Sequence, residues 1–275
     1  MRTTTTTTTP TTPTSAAPAA MIDRVASVLE AFDCERSLSL AEISRRAALP
    51  RSSAHRILQR LVVFGLVERD GNGYGLGLRM FELGTQMLRG SRFLRSAPPV
   101  LADLHRATGL AVHLSVLDGT EVVHLDQLAG AGLPAADWAA GTRSEAVHTA
   151  PGRALLARLP VEQWSSLVVH PRGGAHGIRS WEHLSRELLR IRERDGVAVD
   201  VHGSVPGVAV LAVPVGPTET VTALSVSGPV ELVRPDRLTG PLRTAAGDIW
   251  AATIGIGRPV RRQVHPYAVA RAGSA

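Results

Sequence analysis

Apolar side chains recur at helical spacing in three successive stretches near the start of the chain. Residues 21–32 place an apolar residue at every third or fourth position along one stripe. Ser39, with Glu42 three residues later, is typical of a capping box and predicts the start of a second helix. A third helix is predicted to start at about Ser52 or Ser53 and to stop at Gly65. Its buried stripe consists of Ala54, Ile57, Leu58 and Leu61.

A short hairpin is predicted directly after the third helix. The apolar run from Leu66 is separated from Tyr74-Gly75-Leu76 by Asp70-Gly71-Asn72-Gly73, a sequence typical of a tight β-turn. Three helices and a hairpin in this order predict a winged helix-turn-helix domain over residues 21–77.

The rest of the chain mixes helical and strand patterns. Residues 78–92 predict a linker helix, and a second helix reaches about Thr108 after a break at Pro98-Pro99. Strands are predicted over residues 111–117, 121–127, 197–201, 208–215 and 221–227, and helices over 152–159, 162–168, 181–194 and 236–253. This mixture predicts an α+β domain over residues 93–256. Residues 1–20 and 257–275 are expected to be a disordered leader and a flexible basic tail.

The composition favours two domains and no membrane segment. The chain has 275 residues, 44% of them hydrophobic, and its apolar runs stop short of the roughly 18–20 residues that cross a bilayer. Cys34 is the only cysteine, which excludes an intrachain disulfide and indicates a cytoplasmic location. The net charge is +6, and residues 40–66 contain five arginines against one acid, Glu42. An acidic partner is therefore expected at the helix-turn-helix.

The third helix carries most of the predicted DNA contacts. If its apolar stripe faces the core, its other face presents only groups that form hydrogen bonds, which suits the major groove of duplex DNA. The candidate DNA-binding residues are Arg45, Arg51, Ser52, Ser53, His55, Arg56, Gln59, Arg60 and Arg69. The expected base-reading residues are Arg51, Ser52, Ser53 and Arg56. The alternative is a solvated basic helix face, but the order of the motifs favours DNA binding.

Several motifs resemble those of the IclR family of bacterial transcriptional regulators. They are SLAEI at 39–43, LPRSSAHRIL at 49–58, YGLG at 74–77, TAPGRALLA at 149–157, PGVAVLAVPV at 206–215 and ALSVSGP at 223–229. The resemblance covers roughly residues 21–255. It implies a winged helix-turn-helix joined by a linker helix to a GAF-like mixed α/β effector-binding domain. It also implies operator DNA and a small, often carboxylated or aromatic, effector as partners, and a homodimer or homotetramer.

By motif position, the resemblance implies an effector pocket with apolar walls, two hydroxyls and one carboxylate. The candidate effector-binding residues are Ala150, Asp200, His202, Val208, Val210, Ser225 and Ser227. Pro151 removes a backbone donor where similar proteins can offer one to a carboxylate, so a larger or less charged effector is an alternative. Ser225 and Ser227 lie on one strand face, and the alternative for both is contact with solvent or backbone.

Metal and catalytic sites are not indicated. His113, His124 with Asp126, His148 and His202 lack the spacing of metal ligands, and no Gly-x-Ser-x-Gly motif occurs. We therefore expect no cofactor and no enzymatic activity. The alternative to an effector-controlled regulator, whether repressor or activator, is a DNA-binding oligomeric scaffold whose C-terminal domain binds no small ligand. The stripe of Met80, Leu83 and Met87 on the linker helix is expected to pack against a partner subunit.

Overall fold

A computed structural model of the chain describes residues 21–32, 37–130, 138–165, 167, 177–202 and 205–255. The chain divides into two compact units, with the division between Met87 and Leu88. The predicted leader (1–20), the predicted tail (257–275) and Cys34 lie outside the described residues. No described helix is both long enough and apolar enough to cross a bilayer.

The first unit has the predicted order of three helices and a hairpin. They are α1 (Met21–Glu30), α2 (Leu40–Arg46), α3 (Arg51–Val63), β1 (Val67–Asp70) and β2 (Gly73–Leu76). The capping box is confirmed, because the Ser39 hydroxyl accepts from the backbone N–H of Glu42 and the Glu42 carboxylate accepts from the backbone N–H of Ser39 at 2.8 Å. The core contains the fully buried side chains Val28, Leu38, Ile43 and Leu58.

Helix α3 ends at the predicted glycine. Gly65 has a φ of +70°, a left-handed conformation that glycine adopts without strain. The N–H of Leu66 donates to the carbonyl of Leu61 at 3.0 Å, which closes the end of the helix. The chain then enters the antiparallel hairpin, and Leu38 pairs with Tyr74 through two backbone hydrogen bonds at the edge of that hairpin.

The helical stretch after the hairpin is divided at Ser91 into α4 (Leu78–Gly90) and α5 (Arg92–Thr108). The predicted break at Pro98-Pro99 is wrong, since both prolines lie inside α5. The Ser91 hydroxyl accepts from the N–H of Leu94 at 3.2 Å and caps α5. Proline removes helical hydrogen bonds, but α5 also buries Ala97, Leu101 and Leu104. This apolar packing outweighs the local preference of proline.

The second unit is built on one antiparallel sheet, in agreement with the predicted α+β class. Its strands are β3 (Ala111–Asp118), β4 (Glu121–Leu128), β5 (Arg143–Glu145), β6 (Ala198–Val201), β7 (Val208–Pro214) and β8 (Thr222–Pro229). Their order across the sheet is β5-β4-β3-β8-β7-β6. The helices are α5, α6 (Ala150–Leu156), α7 (Val161–Trp164), α8 (Trp181–Glu193) and α9 (Pro235–Ile254). Strand β5 was not predicted, because three residues are too few to show a pattern.

The two faces of this sheet pack against different helices. Alternate residues of β7 separate to opposite faces, so that Leu211 joins the core formed with α5 and α9, whereas Val210 joins the core formed with α6 and α8. On β3 and β8 the second face carries polar residues instead of apolar ones: His113, Ser115, Ser225 and Ser227, all buried. A buried polar face next to an apolar core marks this region as a candidate binding site.

Candidate functional site

The structure places all nine candidate DNA-binding residues at the surface of the first unit. The exposed ones are Arg45, Arg51, Ser52, His55, Arg56, Arg60 and Arg69, and the half-buried ones are Ser53 and Gln59. The apolar stripe of α3 faces inward as predicted, with Ala54, Ile57, Leu58 and Leu61 buried. One polar face of α3 is therefore available to an external partner.

The arginines of this surface differ in their contacts within the protein. The Arg60 guanidinium lies 5.3 Å from the Phe64 ring centroid, and that of Arg69 lies 5.3 Å from the Tyr74 ring centroid. Among the described residues, Arg51 and Arg56 form no hydrogen bond or ion pair. These two guanidinium groups can therefore contact a nucleic acid without first breaking a contact within the chain.

The N-terminus of α3 adds backbone donors to the same face. The helix begins at Arg51, one residue before the predicted start, and Pro50 precedes it without a side-chain cap. The first intrahelical bond runs from Ala54 N–H to the Pro50 carbonyl at 3.0 Å. The N–H groups of Arg51, Ser52 and Ser53 thus have no intrahelical acceptor, and such groups favour phosphate oxygens.

A second candidate site is a cavity on the polar face of the sheet in the second unit. Its residues enclose about 300 Å³ of empty space, part of which is open to solvent. Its lining residues come from β3, β4, β7, β8 and the start of α6, and they are His113, His124, Trp138, Thr149, Ala150, Pro151, Val210, Ser225 and Ser227. Of the candidate effector residues, the structure brings Ala150, Val210, Ser225 and Ser227 together here.

The other three candidate effector residues do not line the cavity. Asp200 is 4% exposed, and its carboxylate accepts a hydrogen bond from Arg153 at 2.9 Å in a buried ion pair. His202 lies in the connection between β6 and β7, where its Nδ1 accepts from the N–H of Gly207 at 2.9 Å. Val208 packs in the apolar core beside α6 and α8.

Two buried histidines dominate the polar part of the cavity. His113 Nε2 lies 2.8 Å from the Ser227 hydroxyl, and His124 Nδ1 lies 3.0 Å from the Ser115 hydroxyl. The remaining ring nitrogens, Nδ1 of His113 and Nε2 of His124, are buried and have no hydrogen-bond partner in the part of the chain that the structure describes. Burial, with a smaller contribution from His124, lowers the pKa of His113 to about 3, and burial lowers the pKa of His124. Both imidazoles are therefore neutral at pH 7.

The start of α6 is shaped by close backbone packing. The Thr149 hydroxyl accepts from the N–H of Gly152 at 3.0 Å, so this donor is used within the chain. A Cβ at Gly152 would lie 2.2 Å from the carbonyl oxygen of Ala146, which explains why glycine occupies this position. Pro151 has no N–H. The loop at 149–152 therefore offers fewer free donors to an anion than its position at a helix start suggests.

Five lining residues were absent from the candidate effector residues: His113, His124, Trp138, Thr149 and Pro151. The sequence indicated the two histidines only as candidates for a metal or catalytic site, and the described residues contain no cluster of three or more His, Cys, Asp or Glu suited to a metal ion. The alternation of His113 and Ser115 on one strand was the available signal. Trp138, whose ring centroid is 5.7 Å from that of His113, has no comparable local pattern.

Together these sites define a class of protein: a winged helix-turn-helix with an exposed basic face, and a separate mixed domain with a cavity lined by buried polar side chains. Comparison with known proteins identifies the family. The model for the IclR helix-turn-helix domain matches residues 21–71, and the model described as bacterial transcriptional regulator IclR C-terminal matches residues 85–251. The chain belongs to the IclR family and is a DNA-binding transcriptional regulator.

Individual relatives support the same conclusion. The chain is 31% identical over 238 residues to the HTH-type transcriptional regulator KdgR of Escherichia coli K12, covering 83% of this chain and 90% of that protein. It is 29% identical to the transcriptional repressor IclR of the same organism, covering 74% and 77% of the two chains. It also resembles the crystal structure of an IclR homolog from Microbacterium hydrocarbonoxydans complexed with 4-hydroxybenzoate. That match has a TM-score of 0.78 and 27% identity, and covers 86% of this chain and all of the other.

Proposed function

We propose that a small molecule bound in the cavity of the second unit controls the affinity of α3 for operator DNA. The single observation that carries this proposal is a pair of buried imidazole nitrogens at the cavity that have no hydrogen-bond partner among the described residues. Oligomerisation alone, the alternative function, gives no reason for such groups to be left without partners. Binding of 4-hydroxybenzoate by the Microbacterium relative supports an effector site in this domain. The protein acts in the cytoplasm and has no enzymatic activity of its own.

The proposed organisation follows the sequence motifs. Residues 21–77 bind DNA, residues 78–92 form the linker helix and residues 93–256 bind the effector. The DNA contacts come from the nine candidate residues, and among the effector candidates we retain those at the cavity: Ala150, Val210, Ser225 and Ser227. An effector changes operator affinity only if it binds two states of the protein with different affinities, and α4 connects the two domains in sequence.

Arg56 and Arg45 are expected to contribute differently to DNA binding. Arg56→Ala should reduce discrimination between operator and random DNA by about 1–3 kcal/mol, because a base contact is lost. Arg45→Ala, on α2, should weaken binding to both DNAs about equally, because a phosphate contact carries no sequence information. Gel-shift titrations on both DNAs measure the difference. Arg106→Ala, on exposed α5 surface, is the control. Equal losses on both DNAs for Arg56→Ala would contradict its assignment as a base reader.

Helix α4 is proposed to form part of a dimer or tetramer interface. It has no buried residue, and the exposed fractions of Phe81, Leu83 and Met87 are 71%, 44% and 57%. Apolar side chains exposed together on one helix favour burial by another chain.

The double substitution Leu83→Glu with Met87→Glu should shift the protein toward monomer in size-exclusion chromatography with light scattering. Gln86→Glu, at an exposed position on the same helix, should not. A wild-type protein that is monomeric at micromolar concentration would rule out this interface.

A further inference from the structure

We propose that the cavity binds a small uncharged molecule with one ring and one or two hydrogen-bonding groups, and that His113 and His124 form hydrogen bonds to it. This inference deepens the proposed function and rests on it, since it concerns the chemical class of the effector. The proposed ligand differs from a carboxylate effector because it carries no charge.

The first argument is the position of the unpartnered nitrogens. His113 and His124 are 2% and 3% exposed, and both line the cavity. Each has one ring nitrogen bonded to a serine hydroxyl and one with no partner among residues 21–32, 37–130, 138–165, 167, 177–202 and 205–255. The ring centroids are 6.1 Å apart, so one small molecule can contact both imidazoles. Buried polar atoms are nearly always hydrogen-bonded in folded proteins, and a ligand would supply the missing partners.

The second argument is the absence of charge in the lining. The lining residues that the structure describes include no Arg, Asp or Glu, and neither imidazole carries a positive charge at pH 7. Arg153 in α6 lies outside this lining and donates hydrogen bonds to the Asp200 carboxylate and the carbonyl of Val147, although its Nε has no partner among the described residues. An ionised carboxylate in this cavity would lose its hydration without gaining an opposite charge, which carries a large penalty. An uncharged ligand avoids that penalty.

The third argument is the adaptability of the two imidazole–serine pairs. A neutral imidazole has one N–H donor and one acceptor nitrogen, and a serine hydroxyl can rotate to donate or to accept. When the Ser227 hydroxyl donates to His113 Nε2, the free Nδ1 of His113 is the donor. When the hydroxyl accepts, Nδ1 is the acceptor. The same holds for Ser115 and His124. The pair can therefore bind a hydroxyl, an amide or a carbonyl, while Trp138, Val210 and Pro151 supply apolar walls for a ring.

The test compares two probes of the same size that differ in charge. At pH 7, 4-hydroxybenzamide is uncharged, whereas 4-hydroxybenzoate carries a carboxylate. Isothermal titration calorimetry on the full-length protein should give a dissociation constant at least 10-fold lower for the amide, equivalent to about 1.4 kcal/mol. Equal or tighter binding of the benzoate would overturn the inference, and so would failure of both probes to bind.

Two isosteric variants test the roles of the histidines. His113→Gln retains a group that can bond Ser227 but lacks the free nitrogen, and His124→Asn retains a group that can bond Ser115 but lacks the free nitrogen. Each should weaken binding of 4-hydroxybenzamide about 3- to 10-fold, the effect of one neutral hydrogen bond. His183→Asn, on α8 and outside the lining, should leave affinity unchanged. Unchanged affinity in both cavity variants would remove the histidines from the site.

A gel shift in parallel separates this inference from the proposed function. DNA flanking the protein's own gene is titrated with and without each probe at saturation. A response of operator affinity to the amide and not to the benzoate supports both proposals. A response to the benzoate alone leaves effector control intact and overturns the uncharged ligand. Binding of the amide with no change in operator affinity keeps the ligand class and overturns effector control.

Discussion

Replacing Arg153 by methionine is expected to lower the free energy of unfolding of the protein by about 3–5 kcal/mol. Arg153 and Asp200 are 3% and 4% exposed, and their ion pair at 2.9 Å joins α6 to β6. Removing the guanidinium takes the opposite charge away from the buried Asp200 carboxylate, and removing one partner of a buried ion pair is strongly destabilising. Urea unfolding of the wild-type and variant proteins at pH 7 measures the loss.

Two further variants identify the cause of that loss. The double substitution Arg153→Met with Asp200→Leu should recover most of the stability, because it replaces the pair by apolar side chains and leaves no charge behind. Arg143→Met removes two ion pairs of similar length, 2.7 Å to Asp118 and 3.0 Å to Glu121, at a position where half of the arginine side chain is exposed. It should cost less than about 1 kcal/mol. A double variant as unstable as Arg153→Met would show that packing, and not the unpaired charge, causes the loss.

The Arg153–Asp200 pair also shows which structural features could be predicted from the sequence and which could not. The DNA-binding unit could be predicted almost residue by residue, because its signals are local: the Ser39–Glu42 capping box, the apolar stripe of α3 and the glycine at position 65. Each of these signals acts within one or two helical turns. The carboxylate of Asp200 could be assigned to the effector site only by motif position, and its actual partner lies 47 residues away in the chain.

Predicting the cavity required knowledge of which strands pair over long separations in the sequence. His113 on β3 lies opposite Ser225 on β8, and His113 bonds Ser227, which is 114 residues away. The period of two along each strand shows that alternate residues share a face, but it does not show which faces of distant strands meet. Ser225 and Ser227 were correctly placed on one face. The alternative of solvent contact for them is wrong, since they are 2% and 0% exposed.

Acidification from pH 6.5 toward pH 4.5 is expected to destabilise the second unit through His113. The unfolded imidazole titrates near its ordinary pKa of 6.5, whereas burial, together with the nearby His124, lowers the pKa of His113 in the folded protein to about 3. Between these two values the unfolded chain binds a proton that the folded chain does not. Stability contributed by the neutral imidazole is therefore complete above pH 6.5 and falls by up to about 1.4 kcal/mol per pH unit below it.

The slope of stability against pH separates His113 from the many carboxylates that also titrate in acid. His113→Gln cannot take up the proton but can still bond Ser227, so its free energy of unfolding should fall less steeply than that of the wild type between pH 6.5 and 4.5. His183→Gln, on α8 outside the cavity, should retain the wild-type slope. The lowered pKa of His124 contributes in the same direction, so His113→Gln should remove only part of the dependence of the free energy of unfolding on pH. Urea unfolding at pH 7.5, 6.5, 5.5 and 4.5 gives the three slopes.

Parallel curves of unfolding free energy against pH for the wild type and His113→Gln would show that the His113 imidazole is hydrated in the folded protein. The cavity would then be open enough to water for a charged effector, and the preference for an uncharged ligand would lose its physical basis.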